Sequence, residues 1–205
     1  DFELRAPSVV VTSGGIGGDF ELVRKSWPTA RLGPAPKEMI AGVPAHVDGR
    51  MIAISEAAGG QLINNDRMWH YTEGVKHWDP ILPGPSSMWF DAKGNRFPAP
   101  SLPGFDSLGS LKMILDTGFD YSWFITTQKI VKKEFALSGS EQNPDFADKS
   151  WVKVLQQRIL NKAATPAVEA FKEHGENFVV AQTLPELIAK MNGMEGNDLL
   201  SLDKI

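Results

Sequence analysis

The stretch Ser8-Val9-Val10-Val11-Thr12-Ser13-Gly14-Gly15-Ile16-Gly17-Gly18 constrains this chain more than any other. A run of β-branched apolar residues reads as a buried strand. The glycines that close it strip Cβ atoms from the backbone just beyond, where the chain must take positive φ or admit another group at close range. One reading is purely structural: a tight turn into a helix capped by Asp19 and running through Trp27, ended by Pro28. The other is a ligand laid against bare backbone. A first dinucleotide-binding turn is excluded here, because Gly15-x-Gly17-x-x-Phe20 puts phenylalanine where the third small residue belongs.

With 205 residues and 42% hydrophobic content, the chain can bury one large core or two small ones. Its formal net charge is −4, and its Lys and Arg are scattered along the sequence. That pattern carries no footprint for nucleic acid or an anionic membrane, so neither is expected as a partner. The absence of cysteine excludes disulfides, thiolate catalysis and cysteine-ligated metals, so any redox chemistry needs a cofactor. The spacing of Asp66, His70, His77 and Asp79 matches no standard ligand set, and no metal is expected. No apolar run approaches the roughly 20 residues of a membrane span, and no signal-peptide pattern opens the chain; in a piece of a longer protein these absences say little about location, for which cytoplasmic is the default expectation. The start at Asp1, without an initiator methionine, reads as a piece of a longer protein.

Pro28 to Pro44 is rich in proline and glycine and reads as an irregular connection. Asp48 is predicted to cap a helix carrying Met51, Ile52, Ile54, Ala57 and Ala58, ended by Gly59-Gly60 in a left-handed conformation. Gln61-Leu62-Ile63 reads as a short strand, and Ser87 to Phe97 as a hairpin turning at Lys93-Gly94. Further on, Leu108, Leu111, Ile114 and Leu115 share a helical face with Gly118 as the stop, and Trp123-Phe124-Ile125 is a short strand. Ser150 begins a helix with Val152, Val154, Leu155, Ile159 and Leu160. Thr165-Pro166 begins another, and Thr183-Leu184-Pro185-Glu186 is a capping box for a last helix stopped by Gly193. The fold class is therefore α+β, the second half mostly helical with a small hairpin.

The order of these pieces resembles the middle of the flavoprotein family that contains soluble fumarate reductases, succinate dehydrogenase flavoproteins and 3-ketosteroid dehydrogenases. Val9-Val10-Val11-Thr12-Ser13-Gly14-Gly15 is similar to that family's valine-rich strand ending in Ala-Thr-Gly-Gly. Val47-Asp48-Gly49 with Ala57-Ala58-Gly59-Gly60 is similar to its Gly-Asp-Gly helix, and His70-Tyr71-Thr72 to its His-Pro-Thr. Asp91-Ala92-Lys93-Gly94-Asn95-Arg96-Phe97 resembles the hairpin that opens its capping domain, and Gln182 to Leu187 a late element of that domain. Bacterial members described as FAD-binding dehydrogenases and loosely grouped with steroid dehydrogenases resemble the chain further, through Tyr121 to Pro144. Against that pattern the Asp79-Pro80-Ile81 junction is short by several residues.

The resemblance implies a partial, Rossmann-like FAD-binding segment over residues 1–72 and a substrate-capping domain over 73–205. The family's early Gly-x-Gly-x-x-Gly is missing, so the fragment alone is expected to be inactive. FAD is the implied cofactor, with Ser13, Gly14, Gly15 and Asp48 bordering it. Arg96 matches the arginine that serves the reductases as active-site acid, although Pro98-Ala99-Pro100 departs from the motif that follows there. Its alternative is a surface arginine of a hairpin. His70 matches a substrate-binding histidine, or is a histidine held within an aromatic cluster. Trp69, Trp78, Trp89, Phe90 and Trp123 form either a pocket for a bulky, possibly steroid-like substrate or plain core. The implied activity is hydride transfer between flavin and a substrate carbon, with the electron acceptor unassigned. The competing class is a non-catalytic α+β module that binds a small molecule.

Overall fold

The computed structural model describes residues 5–70, 72, 81–82, 87–99, 101, 106–137 and 144–205. The chain divides into two compact units, Asp1–Pro28 with Ala41–Met68, and Thr29–Ile40 with Trp69–Ile205. His77, Trp78, the junction at Pro80 and the Ser138 to Asn143 segment lie outside the described residues.

In the first unit, helix α1 spans Phe20–Lys25 and begins at Asp19, whose Oδ1 accepts the Leu22 N–H at 3.0 Å. Glu21 in its first turn and Arg24 and Lys25 in its last complement the helix dipole. It stops short of Trp27, because a residue before proline is pushed out of the helical region. Helix α3 spans Arg50–Ala57, after a short α2, Thr29–Leu32, that belongs to the second unit. The predicted cap Asp48 sits one position too early: Gly49 is the N-cap, at φ 77. A Cβ at residue 49 would stand 2.9 Å from both Ile16 Cγ2 and Leu22 Cδ2, so glycine alone fits there. The expected left-handed end is present at Gly59, φ 90.

The predicted strands of this unit do not form. Val9, Val10 and Val11 are exposed, Val10 by 83%, and they join no ladder among the described residues; Leu62 and Ile63 are exposed likewise. A strand is stable only beside another strand, and this unit supplies none among its described residues.

The second unit holds two cores. Strand β2, Met88–Asp91, pairs antiparallel with β3, Ser122–Ile125, in the register Phe90↔Trp123 and Trp89↔Phe124. On one face Phe90, Trp123 and Ile125 pack with Ile188, Met191 and Leu200. On the other, Trp89 stacks on Phe124 with centroids 5.7 Å apart, and its Nε1 donates to Ser122 Oγ at 2.9 Å. The hairpin turns at Gly94, φ 81, where Asp91 Oδ1 accepts the Lys93 and Asn95 N–H groups, each at 2.8 Å. Its return arm is a single bridge, Phe90↔Arg96, and the main partner of β2 is the distant β3.

The second core is helical. Helix α4, Ser107–Asp116, starts at Asp106, and α5, Gln128–Glu134, starts at Thr127. Val131 and Phe135 pack with Ala164, Val168 and Phe171, the last two on α8, Pro166–His174. Strands β1, Ile81–Leu82, and β4, Ala136–Leu137, pair antiparallel, and α6, Pro144–Ala147, precedes α7, Trp151–Val154. That helix continues as a π-helix over Leu155–Leu160. Helix α9, Leu184–Glu195, starts from the predicted capping box at Thr183 but runs through Gly193 to end at Gly196, φ 63. Glycine within a helix costs only about 1 kcal/mol, whereas the left-handed terminus at residue 196 demands it. Beyond it, Asn192 pins the tail by exchanging two 3.0 Å hydrogen bonds with the Leu200 backbone.

Candidate functional site

The glycine turn and Asp48 lie together in the first unit. Gly14 has φ 86, and a Cβ there would fall 2.9 Å from Val47 Cγ1. The Gly18 N–H donates to Val47 O at 2.8 Å, and a Cβ on Gly18 would collide with the carbonyls of Pro44, Ala45 and Val47. The segments around 14–18 and 44–49 therefore clasp each other through bare glycine backbone. A Cβ on Gly15, by contrast, would meet nothing within 4 Å. Ser13, Gly14 and Gly15 are exposed, and the Gly14 and Gly15 N–H groups donate to no acceptor among the described residues.

Asp48 accepts the Arg50 N–H at 3.2 Å, and both its oxygens take the Arg50 guanidinium, at 2.5 to 3.1 Å. Those hydrogen bonds hold its carboxyl at about 2, so it is ionised throughout the physiological range. Free backbone donors and a fixed anionic acceptor stand one residue either side of the Gly14–Val47 contact. That donor set suits a ligand carrying phosphate or carbonyl acceptors together with hydroxyl donors, and FAD has both. Arg50, 70% exposed at its side chain, was not singled out from the sequence. The Asp-Gly-Arg spacing at the start of a helix was the available signal.

Two further predicted residues belong to the second unit. His70 is half-buried, and burial, reinforced by the charge of Arg31 on α2, lowers its pKa below the ordinary 6.5. The imidazole is thus held neutral near pH 7, with one donor and one acceptor nitrogen. Arg96 is exposed on the return arm of the hairpin and makes no ion pair among the described residues. No hydrogen bond joins it to His70. Of the aromatic set, Phe90 and Trp123 are core, Trp89 is buried on the opposite face of the sheet, and Trp69 is exposed. A shallow depression of about 480 Å³ lies over α9 and its end, lined by Pro185, Ala189, Asn192, Gly193, Asn197 and Asp198, and holds none of the predicted site residues.

The sequence also gave no sign of a buried ion pair. Arg158 Nε meets Asp145 Oδ2 at 2.5 Å with Asp145 fully buried, and Arg158 Nη1 donates to Phe135 O at 2.9 Å.

A glycine turn of exposed backbone beside a carboxylate-bearing loop offers donors and an acceptor to a ligand. The profile of the FAD binding domain family matches residues 1–196, and the chain belongs to that family. Among curated proteins it is similar to a KsdD-like steroid dehydrogenase of Mycolicibacterium smegmatis, 55% identical over 211 residues, which covers 99% of this chain and 38% of the relative. A KsdD-like steroid dehydrogenase of Mycobacterium tuberculosis is 52% identical, over 98% of this chain and 36% of its own length. The chain thus spans little more than a third of the curated relatives it matches. No solved structure matches it.

Proposed function

We propose that this chain is the part of an FAD-dependent dehydrogenase that combines one wall of the flavin site with the substrate cap, and that the enzyme acts on a bulky, steroid-like substrate. The observation that carries the reading is the exposed Ser13–Gly15 backbone beside Val47 and Asp48, in a chain that matches the FAD binding domain family over residues 1–196. The names of the relatives support the substrate class. Residues 1–72 would serve the flavin and 73–205 the substrate.

Bound FAD supplies the hydride-transfer chemistry. The chain's own residues have other tasks. Gly14 and Gly15 would offer backbone N–H donors at a distance no side chain obstructs, and Asp48, held by Arg50, would accept from cofactor hydroxyls. Neutral His70 would donate to or accept from a substrate oxygen, not balance an anion. Arg96, permanently cationic and exposed, would stabilise negative charge developing on the substrate.

The test uses the full-length protein, scored by visible flavin absorbance and by turnover of a 3-keto steroid with a dye as electron acceptor. Arg96→Ala is expected to lower turnover roughly 10²-fold while leaving flavin absorbance intact, because a transition-state contact is lost and no cofactor contact is. A colourless wild-type protein would refute the flavoenzyme reading. Unchanged turnover in Arg96→Ala would leave that arginine a hairpin residue.

A further inference from the structure

The helix Trp151–Leu160 presents its apolar side to solvent. Trp151 is 86% exposed, and Val152, Leu155, Ile159 and Leu160 are exposed apolar side chains on the same helix. Trp151, Leu155 and Ile159 follow one another at intervals of four, and Leu160 stands five after Leu155. The π-helical pitch, marked by the Asn161 N–H donating to Gln156 O at 2.8 Å, is what aligns that last pair. The opposite side is locked inward by Arg158, buried between Asp145 and the Phe135 carbonyl. The helix cannot roll its stripe into the core without breaking that pair.

The segments that carry and adjoin the stripe are rich in lysine. Segments 128–134 and 148–162 carry Lys129, Lys132, Lys133, Lys149, Lys153 and Lys162 against Glu134 and Asp148, in a chain whose net charge is −4. Along the sequence these lysines look scattered. In the fold, α5 packs against the π-helix, with Lys132 Nζ donating to Ile159 O at 3.0 Å, so the lysine-rich segment 128–134 adjoins the helix that carries the stripe.

We propose that this face seats on the surface of an anionic lipid bilayer, the helix lying in the plane of the interface. Trp151 would sit at the headgroup level, Leu155, Ile159 and Leu160 would enter the acyl boundary, and the lysines would face lipid phosphates. Such a helix lies on the membrane and need not cross it, and no helix among the described residues is long and apolar enough to cross. Charge complementarity selects this occupant over a second copy, whose like lysines would be brought together by two-fold pairing. The inference does not depend on the flavoenzyme reading, although a steroid-like substrate dissolves in lipid and the seat would place an enzyme where that substrate is.

The full-length protein is sedimented with vesicles of phosphatidylcholine alone, or with about a third phosphatidylglycerol. It is expected to bind the anionic vesicles several-fold better, and less well as ionic strength rises. The double variant Trp151→Ser with Ile159→Ser should bind roughly tenfold more weakly, with an unchanged melting temperature because both side chains are exposed. Equal binding of wild type and double variant, or no preference for anionic vesicles, would overturn the proposal. So would slow maleimide labelling of Trp151→Cys in the vesicle-free protein, since it would show that protein already covers the face. Fast labelling that vesicles suppress is the expected result, read against the same protein without Trp151→Cys as background; this chain itself has no cysteine.

Discussion

The two compact units handle the same kind of residue in opposite ways. In the larger one, β-branched and aromatic residues close on each other: Ile125 and Trp123 against Met191, Val168 and Phe171 against Val131 and Phe135. In the smaller one Val9, Val10, Leu62 and Ile63 are exposed, and neither α1 nor α3 contains a fully buried residue. Apart from the buried Trp27, what the smaller unit shows is backbone contact: the Gly18–Val47 hydrogen bond and glycines that let Ile16, Leu22 and Val47 approach. Apolar patterning thus states what a segment is built to bury, and a fold shows only what it has found to bury it against.

The sharpest way to break that contrast is to attack the larger unit where burial costs most. Asp145→Ala removes a fully buried carboxylate from the buried Arg158 guanidinium and is expected to destabilise by about 3–5 kcal/mol in urea unfolding. Arg158→Met in the same chain should recover a large part of it, because the buried guanidinium is then removed together with its carboxylate. If Asp145→Ala costs no more than a surface change, the pair is not the pin of this unit.

In the smaller unit Gly14→Ala is expected to cost about 1–2 kcal/mol, from its positive φ and the contact with Val47. Unfolding of the larger unit should be unaffected, whereas flavin absorbance of the full-length protein should fall. A loss of flavin with no local destabilisation, read by hydrogen exchange at Val47, would separate the ligand contribution from the clasp.

The smallest effect is electrostatic. His70 has a folded pKa below 6.5, so the unfolded chain binds its proton more readily. Stability should therefore be unaffected above that value and decline as pH falls from about 6.5 toward the folded pKa. His70→Gln should flatten the slope in that window, and an unchanged slope would assign it to other groups.

Local chemistry was legible in the sequence because its causes lie within a few residues. The Asp19 cap, the Lys93-Gly94 turn, the Thr165-Pro166 start and the Thr183 box are all present. Where two local signals competed, the nearer one misled: Gly193 looked like a stop, and only the left-handed φ of Gly196 shows which glycine the terminus needed. Partnership across the chain was not legible. Nothing near Arg158 announces Asp145, 13 positions away, and nothing near β2 announces β3 as its ladder. For the candidate site, the nearness of Gly14 to the residue before Asp48 followed from reading both as borders of one ligand, whereas the grip of Arg50 on Asp48 did not. Arg31, whose charge helps keep His70 neutral, was invisible for the same reason.

The π-helical pitch between Leu155 and Leu160 has one more consequence, for how this segment tolerates insertion and deletion. A stretch of π-helix accommodates one residue more than an α-helix of the same path. Removing one residue between 155 and 158 would let the backbone regain ordinary pitch over the same path, and Leu160 would then stand four after Leu155, still on the same face. A deletion in the α-helical turn Trp151–Val154 has no such outlet: each residue there is worth about 100° of rotation, and Trp151 would leave the stripe. The extra residue thus makes the π-helical stretch the place where this helix tolerates a single-residue deletion with least disturbance.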